Sequence, residues 1–153
     1  MNRIRPDRRS HSRRAQRGVG LVEVLISVVV LAFGLLGIAA MQLTALRNSQ
    51  SSLERSQAVA QTYAILDAMR ANDDRAIKGD YNIPETCAVP DAGDIVANDL
   101  RHWMETMRRT DVLGPAACGT ITCGARECTI RVSWDDTRAG GDAKEFVETT
   151  TQL

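Results

Sequence analysis

Apolar positions dominate one stretch of the chain. Residues 18–46 read GVGLVEVLISVVVLAFGLLGIAAMQLTAL and carry a single charge, Glu23. Residues 24–46 are uncharged throughout. About 20 apolar helical residues cross the ~30 Å hydrocarbon core of a bilayer, so this run predicts a transmembrane helix over residues 19–46. Beyond it the polarity rises, but no Pro occurs between Pro6 and Pro84. Apolar residues recur at Leu46, Leu53, Ala60, Tyr63, Leu66 and Met69, which predicts an amphipathic continuation of the same helix over residues 47–72. One helix from Val19 to Arg70 would span about 78 Å at about 1.5 Å per residue. Arg70 in the last turn and Asn72 as a left-handed cap mark its expected end. Gly34 and Gly37 inside it read as places of close helix packing, at a cost of about 1 kcal/mol each relative to Ala.

The pattern then changes. Residues 73–94 hold Gly79, Pro84, Pro90 and Gly93 and read as an irregular connection. Residues 94–109, DIVANDLRHWMETMRR, predict a short helix with Asp94 as N-cap and Leu100 and Met107 on its apolar face. Leu113-Gly114-Pro115 breaks it. Three strands are expected after that, over residues 120–122, 127–134 and 146–152. The middle one alternates Cys128, Ile130, Val132 and Trp134 with polar positions, a period of two. Residues 73–153 therefore predict a small globular domain, and the whole chain an α+β fold. A long N-terminal helix packs on a small antiparallel sheet with one further short helix.

The charges orient this arrangement. The net charge of the chain is zero, yet residues 1–18 hold seven Arg against Asp7, a net of +6, which leaves −6 for the rest. A basic flank before an apolar span stays in the cytoplasm and the remainder is translocated. An acidic bulk with an Arg-rich end beside an apolar run is unsuited to nucleic acid. A cleaved secretory signal would have a shorter apolar core of roughly 7–15 residues. A plain signal anchor leaves Glu23 unexplained. A carboxylate inside a membrane helix is costly and is by default a functional group with a partner.

Arg17-Gly18 followed by VGLVEVLISVVVLAFGLLG resembles the N-terminal signature of type IV pilins and pseudopilins. The resemblance implies a leader, residues 1–18, removed by the prepilin peptidase between Gly18 and Val19 on the cytoplasmic side. It implies N-methylation of Val19 by the same peptidase/methyltransferase, and an assembly role for Glu23 as fifth residue of the mature chain. Val19 stands where Phe is usual, and Gly20 where Thr or Ser is frequent. The physics is consistent with it: a new amino group at Val19 and a carboxylate four residues on can pair when subunits pack, which fixes one axial register. LLGIAAMQLTAL, A-x-A-x-x-Y at residues 58–63, DAMRAND and Gly79-Asp80-Tyr81 resemble the PilV group of minor pilins. That implies a subunit for assembly or priming of the type IV pilus. Its partners would be minor and major pilins met through the N-terminal helix, the peptidase and inner-membrane lipid. It would be single-pass in the bacterial inner membrane, with the C-terminal domain periplasmic, and in the pilus after assembly. A pseudopilin of a type II secretion system and a membrane-anchored periplasmic binding domain are the alternatives.

The four cysteines, Cys87, Cys118, Cys123 and Cys128, fit two disulfides in an oxidising compartment. The four-residue link between Cys123 and Cys128 suits a hairpin, leaving Cys87 with Cys118. Cys87–Cys128 with Cys118–Cys123 is the alternative. The x4 spacings lack the x2 pairs of a zinc site, so no metal and no cofactor is expected. His11 lies in the leader and His102 on a helix surface. No hydrolase, zincin or phosphate-loop motif occurs, so the chain reads as a non-enzyme. Asp73-Asp74 and Asp135-Asp136 read as solvated acids at turns.

Overall fold

The computed structural model describes residue 18, residues 20–124 and residues 127–153. The expectations for His11, the leader arginines and Val19 lie outside the described residues. The described chain forms two compact units, the first ending at Ala40 and the second running Met41–Leu153. Helix α1, Leu21–Ala71, supplies the whole of the first unit's regular structure and the opening helix of the second. It ends with Arg70 in its last turn. Asn72 then takes φ −123°, not a left-handed conformation. Its side chain is occupied elsewhere, donating to the Ala68 carbonyl at 3.2 Å and to the Tyr81 hydroxyl at 3.0 Å.

In the second unit the order is α2 (Asp73–Ile77), β1 (Ile83–Thr86), α3 (Ile95–Met107), β2 (Cys118–Gly124), β3 (Glu127–Trp134), a 3₁₀ turn (Thr137–Ala139) and β4 (Glu145–Gln152). The sheet runs β1-β2-β3-β4, each pair antiparallel. This is the α+β, pilin-like architecture of a long apolar helix with a small antiparallel sheet and a short helix. Asp94 caps α3, accepting from the Ala97 amide at 3.0 Å. That bond first, and the Arg75 guanidinium second, holds its carboxyl below the usual carboxylate range.

Three further expectations about the elements need correction. The connection before α3 is not irregular throughout: it contains α2 and a fourth strand, β1. Pro84 is accommodated because β1 is an edge strand, where a missing N–H costs no ladder bond. Asn82 extends this edge by side chain, accepting from the Cys123 amide at 2.7 Å and donating to its carbonyl at 3.2 Å. The strand expected at 120–122 is the seven-residue β2, in continuous register with β3 from Cys118↔Ser133 to Gly124↔Glu127. The buried face of α1 also differs. It comprises Glu54, Ala58, Thr62, Ile65, Leu66 and Met69, while Leu53 and Tyr63 are exposed. At about 100° per residue, each three-residue step falls back about 60°. The row Leu46, Leu53, Ala60, Tyr63, Leu66, Met69 therefore winds off a single face, whereas steps of four and three through residues 54, 58, 62, 65 and 69 stay on one.

The core joins Ile65, Leu66 and Met69 of α1, Leu100, Trp103, Met104 and Met107 of α3, and Ile121, Ile130, Val132 and Trp134 of the sheet. Gly119 of β2 lets α3 approach: a Cβ there would lie 2.5 Å from the Trp103 ring and 2.9 Å from the Met107 methyl. Gly119→Ala should destabilise the second unit by about 1–3 kcal/mol through overpacking, read as a lowered urea midpoint. Tyr81 is fully buried and donates to Asp99 at 2.5 Å. Burial first, then that hydrogen bond, pushes its hydroxyl up to about 12. A raised pKa favours the neutral phenol in the fold. Its contribution is thus complete below the unfolded value of about 10 and lost as pH rises through about 12. Titrating urea stability between those limits should show a fall that Tyr81→Phe abolishes.

Candidate processing and assembly segment

The expected processing and assembly residues sit at the start of α1. Gly18 and Gly20 precede the helix, which begins at Leu21. The Gly20 carbonyl accepts from the Glu23 amide at 3.0 Å and the Val24 amide at 3.2 Å, so Gly20 is the residue that opens the helix. Glu23 is third in the first turn. The first four amides of a helix lack intrahelical acceptors, and their aligned dipoles place roughly half a positive charge there. The local backbone therefore favours a carboxylate at residue 23 and disfavours one further along. The helix start that the sequence implies for Glu23 is thus also electrostatically suited to it, beyond its spacing from the expected amino terminus. A Glu three residues after a capping position is also half of a capping box. Gly20 fills that capping position only a few tenths of a kcal/mol less well than Ser.

Downstream, the Ser27 hydroxyl donates to the Glu23 carbonyl at 2.7 Å. Every described side chain from residue 20 to residue 50 is exposed, including Leu25, Leu31, Phe33 and Leu36. A soluble core helix would bury these residues. Here they belong to a helix that is long and apolar enough to cross a membrane, and its apolar window is wholly unburied. A Cβ at Gly18, Gly20, Gly34 or Gly37 would meet nothing within 4 Å. The close packing expected at Gly34 and Gly37 is therefore not made with any of the described residues.

The remaining candidates lie in the second unit. Cys87 is bonded to Cys118 and Cys123 to Cys128, with no free cysteine among the described residues. Cys123 and Cys128 face each other directly across β2 and β3. His102 is exposed and lines a shallow groove between α1 and α3 with Gln61, Ala64, Asp99 and Thr106. Asp73 and Asp74 are exposed in the first turn of α2, whereas Asp136 is 1% exposed and so is not a solvated turn acid. It closes the loop before β4: its amide donates to the Asp142 carbonyl and its carbonyl accepts from Ala139 and Gly141. Among the described residues no group of three or more His, Cys, Asp or Glu side chains is arranged to hold a metal ion.

Among protein-family models, the prokaryotic N-terminal methylation motif matches residues 13–39. This motif is typical of the class III signal peptides of type IV pilins. The match takes in Gly18, Val19, Glu23 and most of the apolar run. No curated protein and no solved structure is detectably similar to the chain. The motif and the apolar helix together support membrane anchoring of a type IV pilin-like protein, and proteins bearing the motif are structural subunits.

Proposed function

We propose that this chain is a minor pilin, of the PilV kind, that takes part in assembly or priming of the type IV pilus. Residues 1–18 are a leader held in the cytoplasm and removed after Gly18. The new amino group on Val19 is methylated. Residues 19–46 anchor the chain in the inner membrane, residues 47–72 continue the helix, and residues 73–153 form the periplasmic domain. After extraction from the membrane the helix joins those of neighbouring pilins, with Glu23 pairing an amino terminus. The observation that carries this reading is the methylation motif coinciding with an apolar helical stretch, exposed from Leu21 to Gln50, whose only charge up to residue 46 stands in the first turn.

The intact mass of the protein from native membranes tests processing. It should equal residues 19–153 with one N–H hydrogen replaced by a methyl group and four hydrogens lost to two disulfides. The full-length mass would sink the proposal. Assembly is tested with Glu23→Val. Cleavage, insertion and disulfides should persist, because Glu23 is exposed and far in sequence from the core, while the amount recovered in sheared pili falls. A pseudopilin shares the motif but not the destination. Normal pilus incorporation of the variant, or absence of the native chain from pili, would overturn the minor-pilin reading.

A further inference from the structure

The second unit grips its helix in two unlike ways. From Ala58 to Met69 the buried side of α1 is mostly aliphatic and belongs to the main core. Between residues 41 and 57 no apolar side chain is buried, and Leu53 points to solvent. That stretch is attached by polar contacts instead. Ser51 donates to Asp136 at 2.7 Å, Arg55 pairs with Glu145 at 3.2 Å, and Gln57 donates to the Asp111 carbonyl at 3.4 Å. The set is incompletely satisfied. Glu54 is 6% exposed and accepts from Gln50 through one oxygen, while its other oxygen, Gln57 Oε1, Asp136 Oδ1 and the Trp134 indole N–H are all buried without a partner among the described residues.

A buried polar atom without a partner costs the desolvation of that atom and returns it to water on opening. An exposed ion pair such as Arg55–Glu145 adds little. Local opening concentrates where buried apolar contacts are few. We propose that α1 residues 50–57 form a releasable clasp, which opens from the sheet while residues 58–69 stay docked. Trp134 reports the open state, because its cross-strand partner is Glu145, the partner of Arg55, and it stands two residues before Asp136. Trp103 reports the docked part, since its indole N–H donates to the Gln61 carbonyl at 3.0 Å. The opening is a property of the chain alone. Its use, freeing these turns of the helix for a neighbouring subunit, rests on the assembly reading above.

The test uses the full chain in detergent micelles, labelled with 5-fluorotryptophan, so that no pilus is involved. The two tryptophans are 3% and 2% exposed and should be equally shielded in a uniformly rigid unit. Fluorine relaxation by a soluble paramagnetic agent should instead be several-fold greater at Trp134 than at Trp103. Glu54→Met removes the orphan oxygen with a good helix former of similar length, and should lower the open population, and with it the excess relaxation at Trp134, by about 5- to 30-fold. Equal shielding of the two rings in the native chain overturns the clasp whether or not the variant folds. So does an unchanged Trp134 signal in a folded Glu54→Met chain.

Discussion

Gly18→Glu should leave the chain in the inner membrane at full length, with no methyl group and none of it in pili. The peptidase reading requires an extended backbone with no side chain at the residue preceding the cut. Gly18 lies outside the helix, before the residue that opens it. A Cβ there meets nothing within 4 Å among the described residues, so a loss of processing is attributed to the cut itself and not to a clash with them. Gly20→Ser serves as the control. It alters a neighbouring glycine equally free of contacts, strengthens the helix start by a few tenths of a kcal/mol, and should be processed as the native chain is. Mass spectrometry of membranes from the native host decides the matter. Normal cleavage of Gly18→Glu would remove Gly18 as the processing site.

Removing the Cys87–Cys118 bond should destabilise the second unit more than removing Cys123–Cys128. The first bond closes a separation of 31 residues and the second only 5. Chain-entropy arithmetic assigns them about 3.7 and about 2 kcal/mol respectively. The structure adds a further reason. Cys87 follows β1, a four-residue edge strand whose register with β2 is irregular between Ile83 and Thr86. That bond covalently fixes the weakest strand of the sheet. The Cys123–Cys128 bond joins neighbours that β2 and β3 already hold in continuous register. Cys128 is fully buried, so the fair comparison replaces it with Val, close in size, and the others with Ala. Urea midpoints read by tryptophan fluorescence should fall further for Cys87→Ala/Cys118→Ala than for Cys123→Ala/Cys128→Val. The reverse order would show that the ladder at the hairpin is too weak to hold without its covalent link.

Legibility differed along the chain for physical reasons. Helix α3 was readable because its signals are local: Asp94 supplies the cap and Leu100 and Met107 lie a helical repeat apart. Strand β3 was readable because Cys128, Ile130, Val132 and Trp134 all face a core beneath a sheet. Strand β1 was not, because it is short, carries Pro84, and exists only by pairing with residues 119–121, far along the chain. The stripe expected on α1 is correct at Leu66 and Met69 but not at Leu53 and Tyr63, which are apolar yet exposed. Burial of Glu54 and Thr62 in their place depends on which face the sheet and α3 meet.

The sequence by itself determined the apolar anchor segment and the methylation motif. An Arg-rich flank, an apolar run of membrane length, a glycine, and an acid five residues after that glycine are facts of composition and spacing. All lie within residues 1–46, so they need no tertiary partner to be read. Tertiary structure alone decided the clasp, the fourth strand and the fate of Asp136. Asp135-Asp136 looks like any turn in one dimension. Only the approach of Ser51 from α1, 85 residues away, and the closing of the loop before β4 make Asp136 a buried acceptor. Whether a polar side chain faces water or a neighbour is a property of two surfaces, and the second surface is supplied by the fold.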